Sequence, residues 1–479
     1  MNLKSLAFAA WVMAGATASA SDGTLDTGFG NGGQRVLSYQ VASNEPDQGL
    51  AILHDSLGRR IVIVVRRNPF PLGPERPLEL ILFRYLADGS VDTSFGFGSG
   101  QVRATTDWSD FRGALIDRQN RIVVVGTTLI GSPQSASLQV LRLTAAGDRD
   151  GSFNGGTGNN GIVAYGFGPS AANRIIAVAL MPNDDLVSAA DLDQGNGDII
   201  LQRISGSNGA PVTTWGDGFG FKIVDLQPSA NAARDTVVGL AALPDGRLLV
   251  LAQSCTSALG CLPAAAQLTA STGQLDTGFC ASTACMNASV TGANRGRRVV
   301  RNLQFDGQTV SQMAVTVGLR DEVGRIVLGG RATLASGSAP LLFLRLNSNG
   351  DLDTAFGSPA TPGFQGLGLG GAPLTASALL RDGSGRLVIG GHGEYAGLRR
   401  VFVARLGDNG QPDTSFGGST ALVEYFLTPA TDDRALRALA LDGTRILGLG
   451  DFNGSGNRDA FLFRLGGTAD GLFASGFEG

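Results

Sequence analysis

With 479 residues, 43% hydrophobic and 16% charged, the chain is long enough to bury a large core, and its 71 glycines are about twice the usual share. Long helices draw on Ala, Leu, Glu and Lys while turns draw on Gly, so this balance favours many short strands. A net charge of −4 gives no electrostatic basis for nucleic-acid binding.

The basic residues are lopsided. Only Lys4 and Lys222 are lysines, and the remaining 35 of 37 are arginines, which reads as a compositional bias rather than an arginine-based function. The first twenty residues, MNLKSLAFAAWVMAGATASA, have one Lys, an apolar run and a small-residue end. They read as a secretory signal peptide cut after Ala20, too short and weakly flanked for a spanning helix. No later segment approaches eighteen uninterrupted apolar residues, so the expected product is exported and soluble, or at most peripherally attached.

From Leu25 onward one motif recurs: LDTGFG, VDTSFG, RDGSFN, a degenerate TTWGDGFG, LDTGFC, LDTAFG and PDTSFG. Its aspartates are Asp26, Asp92, Asp276, Asp353 and Asp413. Its aromatic positions are read as Phe29, Phe95, Phe153, Phe219, Phe279, Phe356 and Phe416, at intervals of 58 to 77 residues. Two further elements recur in phase. One is a tight turn leading into a strand, as in QNRIVVVG (119–126) and SGRLVIGG (384–391). The other is an apolar run: LILFRY, LQVLRL, IILQRI, AAAQLT, LLFLRL, VFVARL and FLFRLG. With an alternating run after each motif and an apolar run before each turn, every unit reads as four short strands.

Seven such sheets shield one another only if arranged radially. The fold class is therefore all-β, a seven-bladed propeller of four-stranded antiparallel blades over 21–466, followed by a tail at 467–479. A lone first motif copy predicts that Gln34–Ser38 pairs into the blade containing Phe461–Leu465, closing the ring. The run of turn-strand, F-L-RL and LDTSFG elements resembles the delta-60 repeat proteins, a bacterial propeller-like family. That resemblance spans Leu25 to about Leu465 and implies architecture, with no catalytic motif to carry over.

Within the motif, the Asp is expected to accept backbone N–H bonds two or three residues on. The Phe is expected to wedge between blades as a structural staple. Cys255, Cys261, Cys280 and Cys285 suit disulfides in an exported protein. Pairing of neighbours is the first choice and zinc the alternative, although no His lies nearby.

Loop variation falls on the face opposite the motif. There lie NPFPLGPERP (68–77), DLDQGNGD (191–198), CTSALGC (255–261) and HGEYAGL (392–398), and ligand contacts are expected on that face or in the axial channel. Asp191, Asp193 and Asp198 resemble a short calcium loop, with a plain turn as the alternative. Trp108, His392, Glu394 and Tyr395 are candidate binding-face residues, and the basic run NRGRRVVR (294–301) reads as a solvated strand face. No G-x-S-x-G or H-E-x-x-H motif occurs and only two histidines are present, so no catalytic residue and no cofactor is assigned. The expected role is an exported, monomeric binding module for a saccharide or envelope protein. The alternative is a polysaccharide-active enzyme using carboxylates across the axis. The closing GLFASGFEG is similar to tails on exported Gram-negative proteins, or is a decayed motif copy.

Overall fold

A computed structural model describes residues 22–466, apart from 38–46, 68–77, 131–134, 155–159, 167–173, 193–196, 228–232, 288–294, 369–371, 418–420, 426–432, 455–456 and residues 107, 109 and 396. The signal segment, the tail and the 68–77 loop lie outside the described residues. The β-branched runs form strands, and the strands form seven antiparallel sheets. The only helix among the described residues is Thr283–Asn287, and none there is long and apolar enough to cross a membrane.

The innermost strands are Asp47–His54, Asp110–Ile116, Arg174–Leu180, Arg234–Ala242, Gln308–Arg320, Leu374–Arg381 and Asp433–Asp442, defining blades 1 to 7. Each packs against the innermost strands of both neighbours, and Asp47–His54 meets Asp433–Asp442, so the ring is complete. Every innermost strand carries a bulge in its pairing with the next strand, at equivalent sites such as Gly49/Ala51 and Leu436/Ala438. Such bulges strengthen local twist. The second strand of each blade is buried on both faces, as in Ile61 to Val64, because the adjoining blades cover it. Gln304–Phe305 adds a short fifth strand to blade 5.

Closure follows the sequence expectation. Gln34–Leu37 is the outermost strand of blade 7, with Gln34 opposite Phe463 and Leu37 opposite Ala460. The edge that blade 7 would otherwise expose is therefore paired.

A side-chain clip holds neighbouring blades together. In blade 1, Asp92 Oδ1 accepts the Ser94 N–H at 3.0 Å, and Oδ2 accepts Arg84 Nε at 2.7 Å. The Arg84 guanidinium lies 4.4 Å from the centre of the Phe95 ring, and its Nη1 donates to the Ala145 carbonyl of blade 2. Phe95 itself packs on Gly147 of blade 2, where a φ of +97° and the ring leave no room for a side chain. The same triad appears as Arg142–Asp150–Phe153, Arg345–Asp353–Phe356, Arg405–Asp413–Phe416 and Arg464–Asp26–Phe29.

Two sequence expectations change here. Phe219 is not the aromatic of its unit: it is 77% exposed, while Trp215 is buried and stacked with Arg203. The motif there carries Val212 in place of Asp, and Arg203 Nε turns to Asp185 at 3.0 Å. Phe97, which follows Phe95 by two residues, is exposed as well, so a second aromatic after the buried ring is not the motif position. The arginine bias also has a structural use. One planar group bonds a carboxylate, reaches a carbonyl across the interface and stacks on a ring, and an ammonium cannot do all three.

Candidate functional site

Six of the seven blades place arginine at the clip position of the third strand. Blade 4 places Gln267 there. Its Nε2 donates to Asp276 at 2.8 Å, but the shorter side chain carries no guanidinium to stack on Phe279 or to cross to blade 5. Leu243 also stands where four other turns hold an Asp paired with the Arg four residues on, as in Asp55 with Arg59. Arg247 consequently leaves that arrangement and binds Asp276 at 2.9 Å and Asp245 at 2.7 Å.

The missing clip leaves a cavity of about 430 Å³ between blades 4 and 5. Leu243, Leu249, Val323 and Ile326 give it apolar walls, and Arg247, Gln267, Asp276, Arg320, Ser348 and Asn349 supply polar groups. Ser348 occupies the position of Ala145, the residue whose carbonyl receives Arg84 in the intact clip. The Arg320 guanidinium forms no hydrogen bond or ion pair with any described residue. Burial first, with the charge of Arg247 adding to it against the pull of Asp321 and Asp245, lowers its pKa from the ordinary arginine value. The turn-side carboxylate Asp276 is held below the usual range: burial opposes this, but Arg247, the Gly278 N–H and Gln267 outweigh it.

This cavity opens on the motif face, not on the irregular face where contacts were expected. The signal was present in the sequence, since AAAQLT is the one third-strand element of the seven with no arginine. Its consequence depended on the arginine's reach across the interface, which only the fold shows.

The candidates on the irregular face are distributed differently. Trp108 is buried, with its ring centre 4.7 Å from that of Phe111 and its edge where a side chain on Gly126 would lie. It is core rather than binding surface. His392 is half-buried on the second strand of blade 6. Burial, then the charges of Arg399 and Arg437, lower its pKa, so it is neutral at pH 7. Glu394 is exposed two residues on, and the Tyr395 side chain is outside the described residues. The basic run is not a solvated face: Arg298 is 2% exposed and bonded to the Cys285 carbonyl. Burial pushes its pKa down to about 10.

The cysteines pair as neighbours, Cys255–Cys261 across a hairpin and Cys280–Cys285 into the short helix. Asp193 lies outside the described residues, and Asp191 accepts the Val237 N–H at 2.9 Å. Asp198 instead meets Asp225 and Asp235, each presenting a carboxylate oxygen within 4.8 Å of the others. Burial and the neighbouring Asp225 raise Asp198 to about 6. Burial raises Asp235 to about 7, against bonds from Ser254 and the Leu226 N–H.

The profile described as "Domain of unknown function (DUF5122) beta-propeller" matches residues 77–95, 324–356 and 383–416, all spanning third-strand or motif segments. Profile and architecture agree on a β-propeller. No curated protein matches the chain. Among solved structures, an ulvan lyase bound to a saccharide is similar at 11% identity, covering 90% of this chain and 96% of that one, with a TM-score of 0.47. The β-propeller domain of the trilobed protease from Pyrococcus furiosus is similar at 7% identity, covering 90% and 98%, with a TM-score of 0.43. Trypanosoma rangeli sialidase in complex with sialic acid is similar at 11% identity, covering 94% and 59%, with a TM-score of 0.35.

Proposed function

We propose that this propeller is an exported binding module whose site is the blade 4–5 cavity, and that its ligand is a small hydroxyl-rich anion the size of one acidic sugar. The observation that carries the reading is the unpartnered Arg320 guanidinium in a cavity opened by the loss of a repeated arginine. A partly buried guanidinium in direct contact with no carboxylate of the described residues favours an anion, and a volume of this order suits a small ligand. Asp276, Gln267, Ser348 and Asn349 supply hydroxyl partners, while the apolar walls suit the C–H face of a ring.

A binding role is favoured over axial catalysis by the innermost strands. Their acids occur only in the first two or last positions: Asp47, Asp110, Asp235, Asp433 and Asp442. Asp110 pairs with Arg112 and Asp433 with Arg399. The middle of the axial wall therefore offers no pair of carboxylates for glycoside chemistry. The two disulfides suit an oxidising compartment, in keeping with export to the periplasm, cell surface or medium.

Calorimetric titration of the purified chain with glucuronate, galacturonate and neutral glucose tests this. Uronate binding that falls at least tenfold in Arg320→Gln, with no binding of glucose, is the expected result. Equal binding of glucose and uronates, or no effect of Arg320→Gln, contradicts it.

A further inference from the structure

The three carboxylates on the opposite face have a history that the repeat itself makes readable. Glu79, Asp198 and Asp459 are equivalent, each five residues before the clip arginine of its third strand: Arg84, Arg203 and Arg464. Asp47 and Asp235 are equivalent too, since each lies at the start of an innermost strand, three residues before its bulge. At blade 1 the acid is neutralised, because Glu79 binds both Arg66 and Arg103. At the blade 3–4 junction the residue paired across the strands from Asp235 is Ser254, where Arg66 stands opposite Asp47. Asp225, the residue just after the outermost strand of blade 3 (Phe221–Val224), adds a third acid. None of the three carboxylates forms an ion pair with a described residue. Arg297 comes near, but its Nη1 donates to the Asp225 main-chain carbonyl at 2.6 Å.

Gln227 supplies an independent observation. It is 2% exposed, and its Oε1 has no hydrogen-bond partner among the described residues. Its main-chain N–H donates to Asp225 Oδ1 at 2.9 Å. Its Nε2 donates to Ser254 Oγ at 2.7 Å, and that hydroxyl donates to Asp235 Oδ1. Gln227 is thus tied to Asp225 by its main chain and to Asp235 through Ser254 by its side chain, with the side-chain carbonyl oxygen unspent. A buried amide oxygen without a donor is costly, and so are clustered carboxylates that no cation contacts directly. One cation relieves both.

We propose that Asp198, Asp225, Asp235 and the Gln227 Oε1 form a calcium site that ties blade 3 to blade 4. The donors are all hard oxygens, which selects a hard cation. Oxygens within 4.8 Å of one another are spanned by one ion with metal–oxygen distances of about 2.4 Å, whereas the ~2.1 Å shell of magnesium is tight for that spacing. The ion joins the loop before a third strand, the end of an outermost strand and the start of the next innermost strand, so its mechanical role is to staple two blades on the face that lacks the arginine clips.

The test is calorimetric titration of chelator-treated full-length protein with CaCl₂ and, separately, MgCl₂, alongside thermal melts. One calcium per chain, a rise in Tm with CaCl₂ and weaker or no response to MgCl₂ are expected. Asp225→Asn, a change at a half-buried strand end that leaves the fold intact by circular dichroism, lowers calcium affinity at least tenfold, and Gln227→Leu lowers it as well. Asp47→Asn, at the equivalent blade 7–1 position, leaves calcium binding unchanged. Absence of calcium binding in the wild-type chain, or wild-type affinity in folded Asp225→Asn, overturns the site.

Discussion

The Arg464 guanidinium lies 4.8 Å from the centre of the Phe29 ring, so residues 435 positions apart form the same clip that joins consecutive blades elsewhere. Phe29 in turn packs against Gly89 of blade 1. The ring is thereby closed by the unit that repeats around it, and each interface has a counterpart for comparison.

Ring burial at those interfaces sets the first expectation. Phe95 and Phe416 are both fully buried. Phe95→Ala and Phe416→Ala should each cost ~3–5 kcal/mol in chemical unfolding, from lost transfer and the cavity left behind. Phe219→Ala, at an exposed ring, should fall within about 0.5 kcal/mol of wild type. Equal effects at all three would show that Phe219 is the buried member.

The arginine requirement is tested without removing charge. Arg345→Lys keeps the cation beside Asp353 but loses the stack on Phe356 and the bond to the Asp408 carbonyl in blade 6. A loss of ~1–3 kcal/mol is expected, the usual result of leaving buried hydrogen-bonding groups unpartnered. Urea melts of the variant that superimpose on wild type would return the arginine content to a compositional bias.

Acidity acts in two opposite senses. Burial opposes the charged form of Asp92, Asp150 and Asp413, but their Ser and Arg partners prevail and hold each below the ordinary carboxylate value. Their contribution is present above pH ~4 and is lost as pH falls through the depressed values. Asp47 has the reverse sign. Burial raises it to about 7, with Arg66 opposing and Asp459 adding to the shift. Its contribution is present at pH ~4 and below, and is lost as pH rises toward 7. Asp47→Asn should therefore match wild type near pH 4 and be more stable above pH 7, by up to a few kcal/mol at about 1.4 kcal/mol per unit. Melts from pH 4 to 8 showing a constant difference would contradict the assignment.

Most of the architecture was readable because each repeat states its own strands and turns, and because the lone first motif copy pointed to closure at Gln34. The motif Asp was also readable, since its N–H contacts are local. Long-range consequences were not. Trp108 looked like a surface aromatic in an acidic stretch until its stacking on Phe111 and its fit over Gly126 placed it in the core. Asp225 and Asp235 carry no sequence link to Asp198, because strand pairing and blade order bring them together. At blade 4, Gln267 departs visibly from its repeat. That the departure opens a space beside Arg320 follows from where the missing guanidinium would have ended, on the neighbouring blade.

The most direct measurement is therefore uronate binding by Gln267→Arg, which restores the arginine that the other six blades carry. The restored side chain should stack on Phe279, reach the Ser348 carbonyl and fill the cavity, abolishing binding while raising Tm. A variant that melts higher yet binds uronate with undiminished affinity would place the ligand elsewhere and contradict the proposed site.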